Sequence, residues 1–388
     1  MKRSTGRILT THVGRLDGPP EMRSIIQGFR TGGAVDTVAL AALVPAATAF
    51  VLRRQIEAGV DIVSNGEVGA IGYGIAHYGK RLTGLTARQV TPDDPAWMSL
   101  HTGERLEFAE FYKEFSWVTP AERVVVTGPL TFIGAREVQR DIDAFKNALK
   151  NAGKNPADAF MCVLAPAWLE HFFHNEHYPN DEAYLFALAD AMRHEYKAVI
   201  DAGLVLQIDD PALPDTYDMI VPAPPIDEYR KFAELRVDAL NHALKGIPPE
   251  KVRYHICWGS WHGPHAFDPP LADVVDLVLQ VEAGAYAMEQ ANPRHEHEWH
   301  VWEDVKLPEG RVLIPGVVTH HTTIVEHPDL VADRLVRLAE VVGPEHVMAG
   351  TDCGFAQTAF LQRVHPEVQW AKLEALAEGA RIASKRLS

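Results

Sequence analysis

The chain has 388 residues, of which 47% are hydrophobic and 23% are charged. These values are typical of a globular protein with a large core, in one large domain or two ordinary ones. Lys and Arg total 37 against 52 Asp and Glu, a net charge of −15. That charge argues against nucleic acid and against an anionic membrane surface as main partners.

The sequence shows no run of 18 or more apolar residues and no signal-peptide cleavage pattern. We therefore expect a cytoplasmic protein without a membrane span. Three cysteines, Cys162, Cys257 and Cys353, are too few for a disulfide framework and are expected to stay reduced, available as metal ligands. A homo-oligomer remains compatible with these features.

Nine short runs rich in Val, Ile and Leu, or bounded by Gly and Pro, are predicted to be β-strands. In chain order they span 8–13, 60–67, 123–129, 159–166, 204–210, 252–258, 285–290, 312–318 and 346–352. Longer segments with apolar residues at helical spacing lie between them. Three of these predicted helices end in glycine, at 41–59, 181–203 and 328–343.

Alternation of strand and helix predicts a parallel α/β fold. About eight repeats over this length favour a (β/α)8 TIM barrel over a doubly wound sheet. One of the nine strand candidates must then lie outside the barrel. We expect one catalytic domain over 1–388, with insertions near 68–122 and 167–180, where aromatic, proline and polar residues mix without a clear period.

Polar residues stand repeatedly at the C-terminal ends of the predicted strands, which is where barrels carry their reactive groups. They are His12, Glu67, Asp209, Asp210, His255, Cys257, Glu289, His320, His321, Asp352 and Cys353. Because unpaired charge is costly at a buried strand end, this placement indicates a functional site. Asp209 and Asp210 are adjacent and must face opposite ways on a strand, and we expect Asp209 to enter the site.

His255 and Cys257 are two residues apart, so a strand places both side chains on one face. Together with Glu289 and Cys353 they form a donor set suited to zinc. A thiol that joins such a zinc is held as a thiolate at neutral pH, which favours alkylation of sulfur. Cys162 is expected to be a packing residue.

The remaining aromatic and histidine segments allow two interpretations each. Trp258, Trp261 and His262 follow the predicted metal strand and would either wall the substrate pocket or pack within their loop. His171, His174 and His177 would belong to a lid or to a surface loop. His295 and His297 alternate with charged residues and are expected in a solvated loop. The glycines of VSNGEVGAIGYG do not match a dinucleotide-binding pattern.

These motifs together resemble the catalytic C-terminal half of cobalamin-independent methionine synthase, from about residue 7 to the C-terminus. The resemblance is strongest at the H-x-C strand of His255 and Cys257 and at D-C-G of 352–354. Four further segments resemble family motifs: TTHVGR (10–15) is similar to T-T-I-G-S, SNGEV (64–68) to H-G-E, QIDDPAL (207–213) to Q-I-D-E-P-A-L and PGVVTHH (315–321) to P-G-V-Y-D-I-H.

The resemblance implies a zinc-dependent thiol alkyltransferase on a (β/α)8 barrel related to uroporphyrinogen decarboxylase. It implies that Glu289 is a zinc ligand and that Glu67 and Asp209 hold the amino group of a thiol such as homocysteine. His321 would be the general acid–base. Val13 and Gly14 would contribute backbone to the thiol pocket.

The sequence departs from the family pattern at several positions. Arg15 stands where the family has a Ser that contacts the substrate carboxylate, and an arginine there could bind a carboxylate or a sulfonate. Thr319 replaces the Asp of the Y-D-I-H segment, and the family's N-terminal half is missing. The bulky segment after Cys257 resembles a sub-branch that also contains epoxyalkane:coenzyme M transferase.

Three functions follow as hypotheses. The leading one is methyl transfer, from a donor such as methyl-folate, to homocysteine or a related small thiol, as in methionine biosynthesis. The alternative is addition of a thiol to an epoxide. A non-enzymatic barrel that binds a metabolite and carries a structural zinc is the third.

Overall fold

The structure is a computed structural model, and it describes residues 1–30, 36–70, 75–91, 94, 102–114, 122–357 and 362–388. The strands are β1 Leu9–Thr10, β2 Val63–Ser64, β3 Leu85–Gln89, β4 Glu122–Val126, β5 Ala159–Leu164, β6 Phe173–Asn175, β7 Val205–Asp209, β8 Val252–His255, β9 Ala285–Met288, β10 Val312–Val318 and β11 Met348–Thr351. The helices are α1 Pro20–Arg30, α2 Thr37–Glu57, α3 Ile75–Tyr78, α4 Thr102–Glu107, α5 Ala109–Glu114, α6 Ala135–Asn151, α7 Pro166–Glu170, α8 Asp181–Asp201, α9 Ala212–Met219, α10 Ile226–Leu244, α11 Leu271–Gln280, α12 Val301–Asp304, α13 Pro328–Val342 and α14 Pro366–Arg386.

Eight parallel strands form the central sheet, in the order β1-β11-β10-β9-β8-β7-β5-β2. The two edge strands meet, because Thr10 O accepts hydrogen bonds from Asp61 N at 3.1 Å and Ile62 N at 3.0 Å. The sheet therefore curls round on itself, and the predicted (β/α)8 barrel is confirmed.

The ninth strand candidate, 123–129, lies outside the barrel. Its observed strand β4 pairs antiparallel with β3 and parallel with β6 in a separate three-stranded sheet. This sheet is built from the two segments predicted as insertions together with the strand between them. It leaves the eight barrel positions to the other eight candidates.

The three glycine-terminated helices are confirmed, with ends that shift by a few residues. Helices α2 and α8 are followed by Gly59 and Gly203, whose φ angles of 86° and 85° lie in the left-handed region that stops a helix. Asn180 caps the start of α8 by accepting a hydrogen bond from Ala183 N at 2.9 Å. Local sequence thus determines where these helices begin and end.

The core has two layers. The outer and larger one lies between the sheet and the surrounding helices. The inner one fills the barrel and consists of Val13, Ile62, Phe160, Val205, Ala285, Ala287, Val312, Ile314 and Met348. The guanidinium of Arg253 lies 4.0 Å from the ring centroid of Phe160, next to Ala285 across the strands. The small side chains of β9 leave room for this long residue in the barrel.

One helix among the described residues, Val38–Glu57, is long and apolar enough to cross a membrane by length and composition alone. The sequence alone, which has no run of 18 apolar residues, predicts no such segment. Leu40, Ala47 and Val51 of this helix are buried in the outer core, and core helices of globular proteins meet the same criterion.

Candidate metal centre and substrate pocket

Strand register places the predicted site residues side by side at the C-terminal edge of the barrel. On β5, β7 and β8 the cross-strand partners form two successive inward layers: Cys162, Gln207 and Arg253 in the deeper one, and Leu164, Asp209 and His255 at the edge. Side chains two residues apart on a strand share a face. The period of two in QID and RYH is therefore sufficient to direct Asp209 and His255 into the same space.

Three of the four predicted zinc ligands meet at this edge. Donor atoms of His255, Cys257 and Cys353 all lie within 4.8 Å of one another, and we call these three residues the sulfur-rich site. Zinc bound tetrahedrally by nitrogen and sulfur needs donors roughly 3.3 to 3.8 Å apart, so the three side chains need only close slightly around the ion. A hydrogen bond with Cys353, together with burial, raises the pKa of Cys257 well above that of a free thiol. The donor set fits zinc.

Asp209 orients the imidazole of the sulfur-rich site. Its Oδ1 lies 2.9 Å from His255 Nδ1 and accepts a second hydrogen bond from Gln207 Nε2 at 2.6 Å. Burial lowers the pKa of His255, but the hydrogen bond and negative charge of Asp209 outweigh burial and raise it to about 9. A carboxylate on Nδ1 leaves Nε2 for a metal ion, as in many zinc proteins.

The neighbouring Asp210 faces away from the site, as the strand alternation predicts. Its Oδ2 accepts a hydrogen bond from Tyr254 Oη at 2.8 Å, and the residue is buried. Burial raises the pKa of Asp210 to about 7. The two adjacent carboxylates therefore occupy different environments.

Glu289, the fourth predicted ligand, lies with two histidines. One of its carboxylate oxygens and ring nitrogens of His320 and His321 fall within 4.8 Å of one another. Glu289 Oε2 is 3.5 Å from His321 Nε2 and accepts a hydrogen bond from Asn292 Nδ2 at 2.5 Å. Glu289 Oε1 is buried and has no hydrogen-bond partner among the described residues. Its charge contributes to the raised pKa of Cys257, so the carboxylate also lies near the sulfur-rich site.

The turn after β2 holds Glu67 in a strained conformation. Gly66 and Glu67 have φ angles of 65° and 54°, and the left-handed region costs a non-glycine residue about 1 to 2 kcal/mol. Arg15 braces this turn, because its Nη1 donates to Glu67 O and Ala70 O, each at 2.6 Å. Arg15 therefore supports the backbone of this turn, and the anion-binding role expected for it stays a prediction.

Glu67 faces Asp209 and Cys162 across a small cleft. Their ligand atoms lie within 4.8 Å of one another, and we call these three residues the acid pocket. The cleft is lined by Glu67, Ala70, His77, Tyr78, Cys162, Val163, Leu164 and Asp209. Burial and the charge of Asp209 raise the pKa of Glu67 to about 7. Cys162 packs against the inner core, as the sequence predicts, and its place opposite Gln207 in the inward layer also brings its thiol to this cleft.

The loop after β1 packs directly on the turn that carries Cys353. Gly14 has φ 68°, and a Cβ there would lie 2.6 Å from Gly354 N, a distance that excludes any side chain. Val13 N donates to Thr351 Oγ1 at 3.2 Å. Glycine at position 14 is therefore required by both conformation and space, and this contact positions Cys353.

The aromatic loop after Cys257 packs inward. Trp258 is fully buried, stacks on His295 with ring centroids 3.9 Å apart and donates from Nε1 to Pro269 O at 2.8 Å. His295 lies between two carboxylates, with Nε2 2.9 Å from Asp268 Oδ2 and Nδ1 2.8 Å from Glu298 Oε2. The expectation of a solvated loop is wrong for His295, which is 2% exposed, and it holds for the exposed His297.

His171 is also buried, with Nε2 3.0 Å from Thr216 Oγ1. It therefore belongs to the packing between α7 and α9, whereas His177 is exposed. Packing partners on distant segments decide which of these histidines are buried, so local sequence could not separate them.

Comparison with known proteins supports the same family as the motifs. A family model described as "Cobalamin-independent synthase, Catalytic domain" matches residues 101–373. A 2-hydroxypropyl-CoM lyase of Xanthobacter autotrophicus is 25% identical over 372 residues, covering 88% of this chain and 85% of the relative. A methionine synthase of Saccharolobus islandicus is 23% identical over 379 residues, covering 97% and 95%.

Solved structures show the same fold. The B12-independent methionine synthase of Shewanella sp. W3-18-1, in complex with selenomethionine, has a TM-score of 0.69 at 19% identity and covers 98% of this chain and 99% of its own. A putative vitamin-B12-independent methionine synthase of Listeria monocytogenes has a TM-score of 0.65 at 18% identity, with coverage of 97% and 98%.

Proposed function

Because the chain belongs to the family of cobalamin-independent synthase catalytic domains, we propose that it is a zinc-dependent enzyme that alkylates the sulfur of a small thiol. The convergence of His255, Cys257 and Cys353 is the observation that carries the proposal. A set of two thiols and one imidazole, with a carboxylate on the outer imidazole nitrogen, matches the ligand and outer-shell chemistry of protein-bound zinc.

Each residue of the site has a role in this reaction. His255, Cys257 and Cys353 would hold zinc, with Glu289 as the fourth ligand. Bound zinc would keep the substrate thiol as a thiolate at neutral pH. As the new sulfur–carbon bond forms, the bond from that carbon to its leaving atom breaks. His321, 15% exposed in its side chain, would give a proton to the leaving atom.

The acid pocket favours a thiol that carries an ammonium group. Glu67 and Asp209 are both acidic, and Glu67 Oε1 is buried with no hydrogen-bond partner in the described part of the chain. A substrate ammonium would supply the missing donors and balance the charge of the pair. This favours homocysteine, or a related amino-acid thiol, as acceptor in a methyl transfer whose donor is of the methyl-folate type.

Thiol addition to an epoxide is the second candidate, favoured by the similarity to a 2-hydroxypropyl-CoM lyase along most of the chain. In this reaction the carbon–oxygen bond of the epoxide breaks, and His321 would protonate the oxygen. Coenzyme M has a sulfonate and no ammonium, so it would supply no donor to Glu67 Oε1.

The test compares two substrate pairs on the zinc-loaded protein, namely homocysteine with methyl-tetrahydrofolate and coenzyme M with epoxypropane. Methionine as product, detected by mass spectrometry, supports methyl transfer, whereas a thioether formed only from the second pair supports epoxide addition. Cys353→Ala should abolish turnover, and Cys162→Ala serves as the matched cysteine control for zinc content. If neither pair reacts and X-ray absorption shows no added sulfur ligand when thiol is supplied, zinc is structural and the enzyme proposal is wrong.

A further inference from the structure

His320 is a buried histidine that the proposed reaction does not use. It directly precedes His321, is fully buried, and neither of its ring nitrogens has a hydrogen-bond partner within the described ranges. Leaving a buried polar group without a hydrogen-bond partner destabilises the folded protein. Such groups in folded proteins usually have a water, an ion or a ligand as partner.

The partners nearest to His320 are metal-binding groups. Its ring lies 4.0 Å from the ring of His321, and ligand atoms of both rings and of Glu289 fall within 4.8 Å of one another. Glu289 Oε1 is also buried and unpaired among the residues described. The three side chains thus offer lone pairs close enough together to bind one metal ion.

We propose that Glu289, His320 and His321 form a second divalent-cation site beside the sulfur-rich site, with the two carboxylate oxygens of Glu289 shared between the two sites. Two imidazoles and one carboxylate suit Zn²⁺, Co²⁺ and Ni²⁺. Burial, together with the positive charge of His321 and Arg363, lowers the pKa of His320 well below its usual value, which keeps its ring neutral and its lone pair available. Arg363, His262 and His265 also face His320. The positive charge of Arg363 makes this site weaker than the sulfur-rich site, where two cysteines supply sulfur ligands.

The consequence for catalysis rests on the proposed function, whereas the site itself does not. A cation bound to His321 occupies a ring nitrogen of the proposed general acid. The first metal equivalent should therefore activate the enzyme, and a second should inhibit it.

Cobalt distinguishes the two sites, because thiolate ligands give Co²⁺ an intense charge-transfer band that imidazole and carboxylate ligands do not. The full chain, stripped of metal, is titrated with Co²⁺ and followed by absorption and by metal analysis. The expected result is two equivalents, the first with the thiolate band and the second without it. His320→Phe should bind one equivalent with an unchanged band, whereas the control His262→Phe, whose ring is 6.3 Å from that of His321, should still bind two.

Wild-type protein that saturates at one equivalent would refute the second site, and this measurement does not depend on the folding of any variant. A His320→Phe protein that still binds two equivalents would refute it as well. When turnover is measured, the second Co²⁺ equivalent should lower the rate of the wild-type protein at least tenfold. The same equivalent should lower the rate of His320→Phe less than twofold. Equal inhibition of both proteins would refute inhibition by the second site. Two cobalt equivalents without any thiol alkylation would instead reject the proposed function and leave the second site standing.

Discussion

Replacing Asp209 with Asn should change the number of protons that the protein releases when it binds zinc. Asp209 Oδ1 lies 2.9 Å from His255 Nδ1, and its charge holds the pKa of His255 at about 9. Asn keeps the shape and an accepting oxygen but removes the charge. The buried imidazole of the variant should then be neutral before zinc arrives.

The expected difference is about one proton. With a pKa of about 9, roughly 97% of His255 carries the extra proton at pH 7.5, whereas at the ordinary value of about 6.5 the fraction is roughly 9%. A metal ligand must lose this proton, and the two cysteines bind as thiolates and release about two more. Wild-type protein should therefore release about three protons and Asp209→Asn about two.

Isothermal titration calorimetry in buffers of different ionisation enthalpy measures this number directly. Asp210→Asn is the matched control, since it removes the same charge from the adjacent residue, which faces Tyr254 on the other side of the strand, and should still release about three. The reasoning would be refuted if Asp209→Asn released as many protons as wild type, or if Asp210→Asn lost the same proton.

Three further predictions concern stability and the geometry of the site. Lys372 is fully buried, and its Nζ lies 2.9 Å from Glu326 Oε2. Lys372→Met should therefore lower the free energy of unfolding, measured in urea, by about 3 to 5 kcal/mol because it leaves the Glu326 carboxylate buried and unpaired. Adding Glu326→Gln should restore most of this stability, and no restoration would contradict the argument from an unpaired charge. The raised pKa of Glu67, about 7, means that its neutral form stabilises the metal-free protein below pH 4.5 and that this stability is lost as pH rises through 7. Glu67→Gln should therefore gain about 2 kcal/mol relative to wild type between pH 5 and pH 8, and a constant difference would rule out this titration. Gly14→Ala should weaken zinc binding at least tenfold because its Cβ would lie 2.6 Å from Gly354 N. Gly153→Ala is the control, since Gly153 also has a positive φ but a Cβ there would have nothing within 4 Å, and it should leave zinc affinity unchanged. Competition with a chelator measures the zinc affinity of both variants.

Much of the site could be predicted because it depends on local periodicity. The opposite faces of Asp209 and Asp210 follow from strand geometry. The predicted strand 252–258 ends at His255 in the structure, and Cys257 lies two residues beyond it, still beside His255. Once the fold class was inferred, the polar residues at the ends of the apolar runs could be assigned to one rim of the barrel. The family motifs then added Glu67 and His321, which periodicity alone would not have assigned to substrate.

Other features depended on partners distant in the chain. The run 123–129 has the composition of a barrel strand, yet β4 pairs with β3 and β6, and hydrophobic pattern does not specify a pairing partner. The charged neighbours of His295 in the sequence predict a solvated side chain, but His295 is buried between Asp268 and Glu298. Cys162 packs against the inner core as predicted, but its position near Glu67 and Asp209 depends on strand pairing.

The sequence by itself determined the fold class, the order of the barrel strands and three residues of the candidate metal centre, because these depend on side-chain alternation and on apolar runs that each segment carries within itself. Only the tertiary structure decided that Glu289 lies with His320 and His321, that Arg15 braces the Glu67 turn, and that Cys162 joins the acid pocket. Those contacts join segments that are between 31 and about 140 residues apart in the chain. Closure of the barrel, rather than any local pattern, sets the distances between them.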